Sequence, residues 1–419
     1  MHFKNTAENI IKTNDDNLLD INQVQYRQKY LGQKGLIAFI ALLNMFVPIS
    51  TDLYLPALPS MSKYFSVSAT LVNLTLVAFF LFYAVGLLFW GPLSEKYGRK
   101  RILLYGMAIY VLSSFACAGA TNIYWLIIFR VLQAMGSGAI VSVSTAVVKD
   151  CFSGKARSKV LAMIQSMMLI APMSAPILGA FILRFTTWRG SFIALAMIGL
   201  ASLIMGLFFQ ETLARQQRYN GSLLGSLSRL AVVAKNKSFS MMLLTFAFLS
   251  VGFMGYIAIS SYIYIDYFHL NSQQYSYFFA ANSCSAMLGP FIYLRTMHKI
   301  TAVRFSLAGF IITLVSGMLL MTVGSHMPFL FFLSFVPFAV TTSAIRPFST
   351  NLLLDQQKGD TGSAASLINF TNTIAGSIGM LVASMAWSNL VEGLGLICAL
   401  SAVASIIGWL VMRKLQIVM

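Results

Sequence analysis

The chain has 419 residues, of which 58% are hydrophobic and only 10% charged, whereas soluble domains carry about a quarter charged residues. This excludes an ordinary soluble domain and indicates a polytopic membrane protein. A formal net charge of +17 would suggest nucleic acid in a soluble protein, but here the positions of the cations explain it, and no nucleic-acid partner is expected.

Residues 1–34 are polar and mixed in charge. They lack the apolar core and small-residue cleavage site of a signal peptide and read as a disordered tail. Beyond them lie twelve apolar runs of bilayer-spanning length, about 20 residues each. They cover 36–57, 70–92, 102–121, 123–148, 159–183, 189–210, 239–265, 273–294, 303–324, 327–349, 363–386 and 394–412. No alternating pattern of barrel-strand length is present, so the expected fold is an all-α membrane protein of twelve transmembrane helices. Alternating the spans places 24 of the 29 Lys and Arg residues on the side that holds both termini. Lys63, Arg184 and Arg189 fall on the other side, and Arg130 and Arg346 lie within spans. The positive-inside rule then puts both termini in the cytoplasm.

The longest connection, 211–238, carries five basic residues. It divides the chain into a tail over 1–34, a six-helix half over 35–211, a linker over 212–238 and a second six-helix half over 239–419. Two such halves around a central site are the plan of secondary transporters. The linker has Leu223, Leu224, Leu227 and Leu230 on one helical face, as a basic amphipathic segment on the membrane surface would. Cys117, Cys151, Cys284 and Cys398 show neither metal-ligand spacing nor a disulfide framework. No P-loop, zinc-ligand helix or nucleophile elbow is visible, so no enzyme, metal or cofactor is expected.

Polar residues inside apolar spans are costly and mark candidate sites. Asp52 lies about five residues from the far end of the first span; it faces an internal cavity, or it caps a solvated loop before Pro56. Arg130 sits about 12 Å into the fourth span at about 1.5 Å per residue, and needs acceptors on another helix or on a substrate. Asn44 precedes Asp52 by two turns; as an amide it binds substrate or bridges helices but cannot titrate. Asp266 reads as a solvated helix end. Arg346, beside Pro347, is expected to snorkel to the interface. Pro172 and Pro176 each remove a backbone donor from the fifth span and bend it, while Gly136, Gly138 and Gly179 permit close helix approach. Tyr256, Tyr262, Tyr264, Tyr275 and Tyr277 are candidates to line a cavity.

Several stretches resemble the major facilitator superfamily. Gly91-Pro-Leu-Ser-Glu-Lys-Tyr-Gly-Arg-Lys-Arg101, a charged turn between the second and third spans, is similar to its loop motif, with Gly91, Gly98 and Arg99 in place and Glu95 where Asp is usual. Arg130-Val-Leu-Gln133-Ala-Met-Gly136-Ser-Gly138 resembles its fourth-helix signature. Ala175-Pro176-Ile-Leu-Gly179-Ala180 resembles the antiporter signature, with Ala175 and Ala180 in place of glycines. Asp52-Leu-Tyr-Leu-Pro-Ala-Leu-Pro-Ser-Met61 is similar to the Bcr/CflA branch of multidrug:proton antiporters. The resemblance implies proton coupling at Asp52 and Arg130, a substrate cavity with Asn44, Tyr54, Gln133 and Tyr256, and a cytoplasmic gate at Gly91, Glu95, Gly98 and Arg99. It also implies a monomer in the bacterial inner membrane that exchanges protons for a drug-like small molecule. Export of a dedicated metabolite, such as a siderophore or amino-acid derivative, and a non-transporting sensor or scaffold are the competing expectations.

Overall fold

The computed structural model describes residues 28–218, 230–297, 299–357 and 361–415. The tail before Gln28 and Leu223, Leu224 and Leu227 of the linker lie outside the described residues. Among the described residues, twelve long helices run back and forth, short helical turns lie in the linker at Arg215–Gln217 and 230–234, and no strand occurs. Helix α1 covers Gly32–Asn44, bends by 40° and continues over Phe46–Phe65 through a 3-10 turn at Leu55–Ala57. Then follow α2 (Ala69–Tyr97), α3 (Arg99–Ala118), α4 (Ile123–Cys151), α5 (Gly154–Leu183) and α6 (Trp188–Phe208). The second half comprises α7 (Lys237–Ser261, extended by a π-turn over Tyr262–Tyr267), α8 (Ser272–Thr296), α9 (Ala302–Thr322), α10 (Pro328–Asp355), α11 (Thr361–Ala383) and α12 (Leu390–Lys414).

These helices form because lipid leaves the backbone no other partner. Their polar caps then satisfy the ends: Ser68, Asn122, Asn236, Asn271, Thr301 and Asn389 each accept from a first-turn N–H. Ten helices are long and apolar enough to span a membrane alone, and the bent α1 makes an eleventh. Helix α8 completes the set through its packing on α10 and α5; Gln273, Gln274, Asn282 and Arg295 dilute its apolar character.

The halves repeat one another. Helix α2 packs on α4 and α3 on α6, as α8 packs on α10 and α9 on α12. Across the halves, α2 meets α11 and α5 meets α8. The core reports the shape of the bundle. One apolar cluster joins both halves, from Leu53, Tyr54 and Leu58 to Tyr256, Tyr264 and Phe331. Two further clusters, around Phe39 and Phe152 and around Phe246 and Trp409, stay within their own halves. The halves are therefore welded at the end opposite the chain termini and separate toward the end that carries them.

Polar contacts repeat this asymmetry. Thr70 Oγ1 donates to Ser384 O and Asn73 Nδ2 to Ser384 Oγ (2.9 Å). Ser276 Oγ donates to Pro176 O (2.8 Å), Ser272 Oγ to Pro56 O, and Tyr262 OH reaches both Ser62 and the Leu58 carbonyl. Lys63 pairs with Asp266 at 3.8 Å. Every hydrogen bond or ion pair described between the halves lies at this closed end. Asn73→Val removes one of them, worth about 1 kcal/mol. The expected result is an about fivefold rise in the population with this end open, read as a longer distance between spin labels at Val67 and Met385. An unchanged distance distribution would contradict it.

Two sequence expectations change here. The stretch from Gly91 is not a turn: α2 stays helical through Pro92 to Tyr97, and the reversal falls on Gly98 alone. The first span does not end near Pro56, because Pro56 and Pro59 occupy first-turn positions, where no N–H is needed. The helix resumes to Phe65, and Asp52 is buried.

Candidate functional site

Arg130 is fully buried in α4. Its guanidinium donates to Ser50 O (3.1 Å), Gln133 Oε1 (2.5 Å), Tyr54 OH (3.3 Å) and Thr75 O (3.4 Å). It lies over the rings of Phe79 at 4.2 Å, Tyr54 at 4.7 Å and Phe192 at 5.8 Å. Among the described residues no carboxylate pairs with it; neutral dipoles and aromatic faces from α1, α2, α4 and α6 hold the cation. The network extends through Gln133 Nε2 to Ser114 Oγ (2.7 Å) and from Ser50 Oγ to Tyr110 OH (2.6 Å) on α3. Tyr54 OH also meets Thr75 Oγ1 at 3.1 Å. Arg130 thereby ties four helices of one half to a fifth.

Asp52 ends the helical stretch Phe46–Asp52 and is 4% exposed. Its Oδ1 accepts from Thr51 Oγ1 at 2.9 Å. The solvated-loop alternative therefore fails in this conformation. The ion pairs among the described residues are Lys63–Asp266, Arg99–Asp150 and Arg218–Glu211, so Asp52 and Arg130 are not directly joined. One residue, Thr51, separates Asp52 from Ser50, whose carbonyl accepts from Arg130, and backbone carries the connection.

Apart from the exposed Tyr277, the residues expected to line a cavity are closed off in this conformation. Asn44 donates to Ser144 Oγ (3.1 Å) and Ile40 O (2.8 Å), bridging α1 to α4. Tyr54 and Gln133 belong to the Arg130 network. Tyr256 stacks on Phe335 with centroids 4.1 Å apart. Among the described residues the Ser261 Oγ is buried without a hydrogen bond, leaving unspent polar capacity on α7. Tyr262 serves the closed end, Tyr275 OH meets Ser260 Oγ at 3.1 Å, and Tyr277 is exposed.

At the opposite end the loop motif is held by partners that sequence reasoning missed. Arg99 Nε pairs with Asp150 Oδ2 (2.9 Å) at the end of α4, and its Nη1 donates to Ser94 Oγ (2.6 Å). Glu211 accepts from the backbone N–H groups of Arg99 (2.9 Å) and Lys100 (3.3 Å) at the start of α3, where a helix N-terminus favours a carboxylate. Gln28 and Gln210 exchange two further bonds across the same corner. Asp150 and Glu211 were findable: each is a lone acid in a strongly basic connection. Gly91 lies within α2 facing Ser142, and Glu95 is exposed.

Gly98 has φ +100°, and a Cβ there would fall 2.4 Å from Glu211 Oε2. Gly98→Asp adds both backbone strain, about 1–3 kcal/mol, and a carboxylate against Glu211. A thermal midpoint lowered by several degrees and slower transport are expected; wild-type values for both would contradict the packing described.

Pro172 and Pro176 lie inside α5. Gly179, one turn further, packs so closely that a Cβ would be 1.8 Å from Leu53 O. Asp266 is a solvated helix end, exposed in the last turn of the Tyr262–Tyr267 segment, where it also pairs with Lys63 at 3.8 Å. Arg346 lies nine residues before Asp355 at the end of α10, about 14 Å along the helix from that end at ~1.5 Å per residue, and is exposed. Pattern alone cannot distinguish a lipid-facing cation from one in an internal cleft.

Two linked six-helix halves, closed at one end around buried polar groups, define a membrane transporter fold. The chain belongs to the Major Facilitator Superfamily, whose profile matches residues 40–380. Solved structures share the fold: a peptide transporter bound to sulfate aligns with a TM-score of 0.76 at 12% identity, covering 94% of this chain and 97% of that one. A bacterial homologue of the human lysosomal transporter Spinster aligns at 0.72 and 16%, covering 94% and 99%. Among relatives, the uncharacterized MFS-type transporter YdgK of Bacillus subtilis is 30% identical over 82% of this chain and 87% of its own. A bicyclomycin resistance protein homologue of Haemophilus influenzae is 29% identical over 84% and 90%. The chloramphenicol resistance protein CraA of Acinetobacter baumannii is 27% identical over 67% and 68%. The similarity to Bcr/CflA-like drug exporters thus extends through most of the chain, and the protein is a transporter, not an enzyme.

Proposed function

We propose that the protein exports drugs or other amphipathic small molecules across the bacterial inner membrane by proton antiport with alternating access. The observation that carries this reading is Asp52: a buried carboxylate with no cation partner among the described residues, at the sealed end of the cleft and beside the segment that binds Arg130. Such a group exchanges its proton when the surrounding helices part, so its charge is tied to which end is open. The relatives named for drug resistance support the class of cargo.

The cation distribution supports placing both termini in the cytoplasm. In that orientation the closed end faces outward and the cleft opens inward, where an exporter loads. The fixed network around Arg130 moves with its half as a body, and the seam of α2–α11 and α5–α8 contacts breaks and reforms. The test is a screen in everted membrane vesicles with an imposed pH gradient, using chloramphenicol and a panel of amphipathic anions and cations. Gradient-dependent accumulation that disappears with an uncoupler is expected; accumulation indifferent to the gradient would overturn proton coupling. Export of a dedicated anionic metabolite is the second reading, favoured by the cation at Arg346.

A further inference from the structure

Arg346 is exposed yet deep within the bundle. It follows Phe335 by eleven residues, three turns along one face at 3.6 residues per turn. Phe335 is buried against Tyr256 of α7 at the closed end. The same face of α10 is thus covered by aromatic rings at one end and uncovered at Arg346, where the halves have parted. Its neighbour across the gap is Tyr83 of α2, in the other half: Tyr83 is partly exposed and lies within electrostatic reach of the guanidinium. Arg346 therefore points into the cleft between the halves rather than toward lipid. The α8 side of α10 is filled, since Gly289 packs against Val340, Ser343 and Ala344, and the α9 side likewise, since Gly309 packs against Thr341 and Ile345.

Among the described residues no hydrogen bond or ion pair holds the guanidinium; the three ion pairs lie elsewhere. This contrasts with Arg130, whose four acceptors and three rings leave it nothing to offer a ligand. An unpaired arginine inside a membrane protein is costly, and such groups mark substrate paths. Its planar fork matches a carboxylate or similar compact anion. Pro347 follows it and removes the N–H that would have bonded to the Ser343 carbonyl, so the adjoining backbone offers an acceptor too.

We infer that Arg346 anchors the anionic group of the cargo in the central cleft, with Tyr83 contributing a hydroxyl from the opposite half. The cargo class is an amphipathic organic anion, its apolar body lying among the apolar side chains of the cleft. One ligand held by α10 and α2 together also draws the halves toward each other, which closes the loading side. The proposal rests on the protein being a transporter and deepens the reading of its cargo. Because its test is equilibrium binding, failure of proton coupling leaves the result readable.

The full chain in lipid nanodiscs is titrated with aliphatic and aromatic carboxylates, 4-phenylbutyrate and decanoate among them, each against its methyl ester and the corresponding amine. The expected result is a carboxylate bound at least tenfold more tightly than its ester and amine. Arg346→Gln should erase that preference, Arg346→Lys should retain part of it, and Tyr83→Phe should weaken it less. Size-exclusion and thermal profiles report folding of each variant, and Arg346→Lys keeps the assignment testable if Arg346→Gln is unstable. Equal binding of acid and ester, preference for the amine, no carboxylate bound better than its ester at millimolar concentration, or a preference surviving Arg346→Gln would each overturn the assignment.

Discussion

Asp52→Asn is expected to abolish proton-driven accumulation of substrate while leaving exchange of substrate for substrate intact. The amide is close in shape to a protonated carboxyl, so it keeps the contact with Thr51 Oγ1 and the buried position at the end of the Phe46–Asp52 stretch. What it loses is the ability to release a proton when the closed end opens. Accumulation under a pH gradient should fall by more than about tenfold, a difference of about 1.4 kcal/mol in driving force or barrier. Counterflow in vesicles without a gradient should stay near wild type, which separates lost coupling from lost folding. Wild-type accumulation by Asp52→Asn would remove the residue from the coupling step.

Gly179→Ala is expected to be the most damaging single-methyl change in the bundle. A Cβ at this position would lie 1.8 Å from the Leu53 carbonyl oxygen and 2.8 Å from its carbon. Both are backbone atoms, and no rotamer relieves the clash. Helix α5 must back away from α1 beside Asp52, at a cost of about 2–3 kcal/mol, so the thermal midpoint should fall by several degrees. Leu178, its neighbour, is 54% exposed, and Leu178→Ala is the matched control that should leave stability nearly unchanged. Equal stability of Gly179→Ala and wild type would show that α5 and α1 do not pack as described.

How much of this was legible in the sequence depends on which interaction decides each feature. Span number and helical class follow from run length and hydropathy, because lipid enforces them without reference to any partner. Asp52 and Arg130 stood out because a charge in an apolar run is rare. The depth of Asp52 did not, since it depends on Pro56 and Pro59 starting turns rather than ending the helix. Three of the four partners of Arg130 were also invisible: two are the backbone carbonyls of Ser50 and Thr75, and Tyr54 lies 76 positions away, whereas Gln133 is three residues on in the same motif. The loop motif was recognisable by its residues. Its anchors, Asp150 and Glu211, stand out as lone acids in basic connections, but their pairing with Arg99 spans 51 and 112 positions, which no local pattern reports. The surroundings of Arg346 were not legible, because periodicity reports that a face is apolar, not whether lipid or a cleft lies over it.

The account rests on coupling between proton and cargo, and the direct measurement is proton flux. Purified protein is placed in liposomes with a trapped pH-sensitive dye and a preformed pH gradient, and chloramphenicol or an amphipathic carboxylate is added. The account predicts that cargo dissipates the gradient at a rate set by the protein, and that the response vanishes in Asp52→Asn. Cargo movement without any proton flux, or the same flux from Asp52→Asn as from wild type, would contradict it.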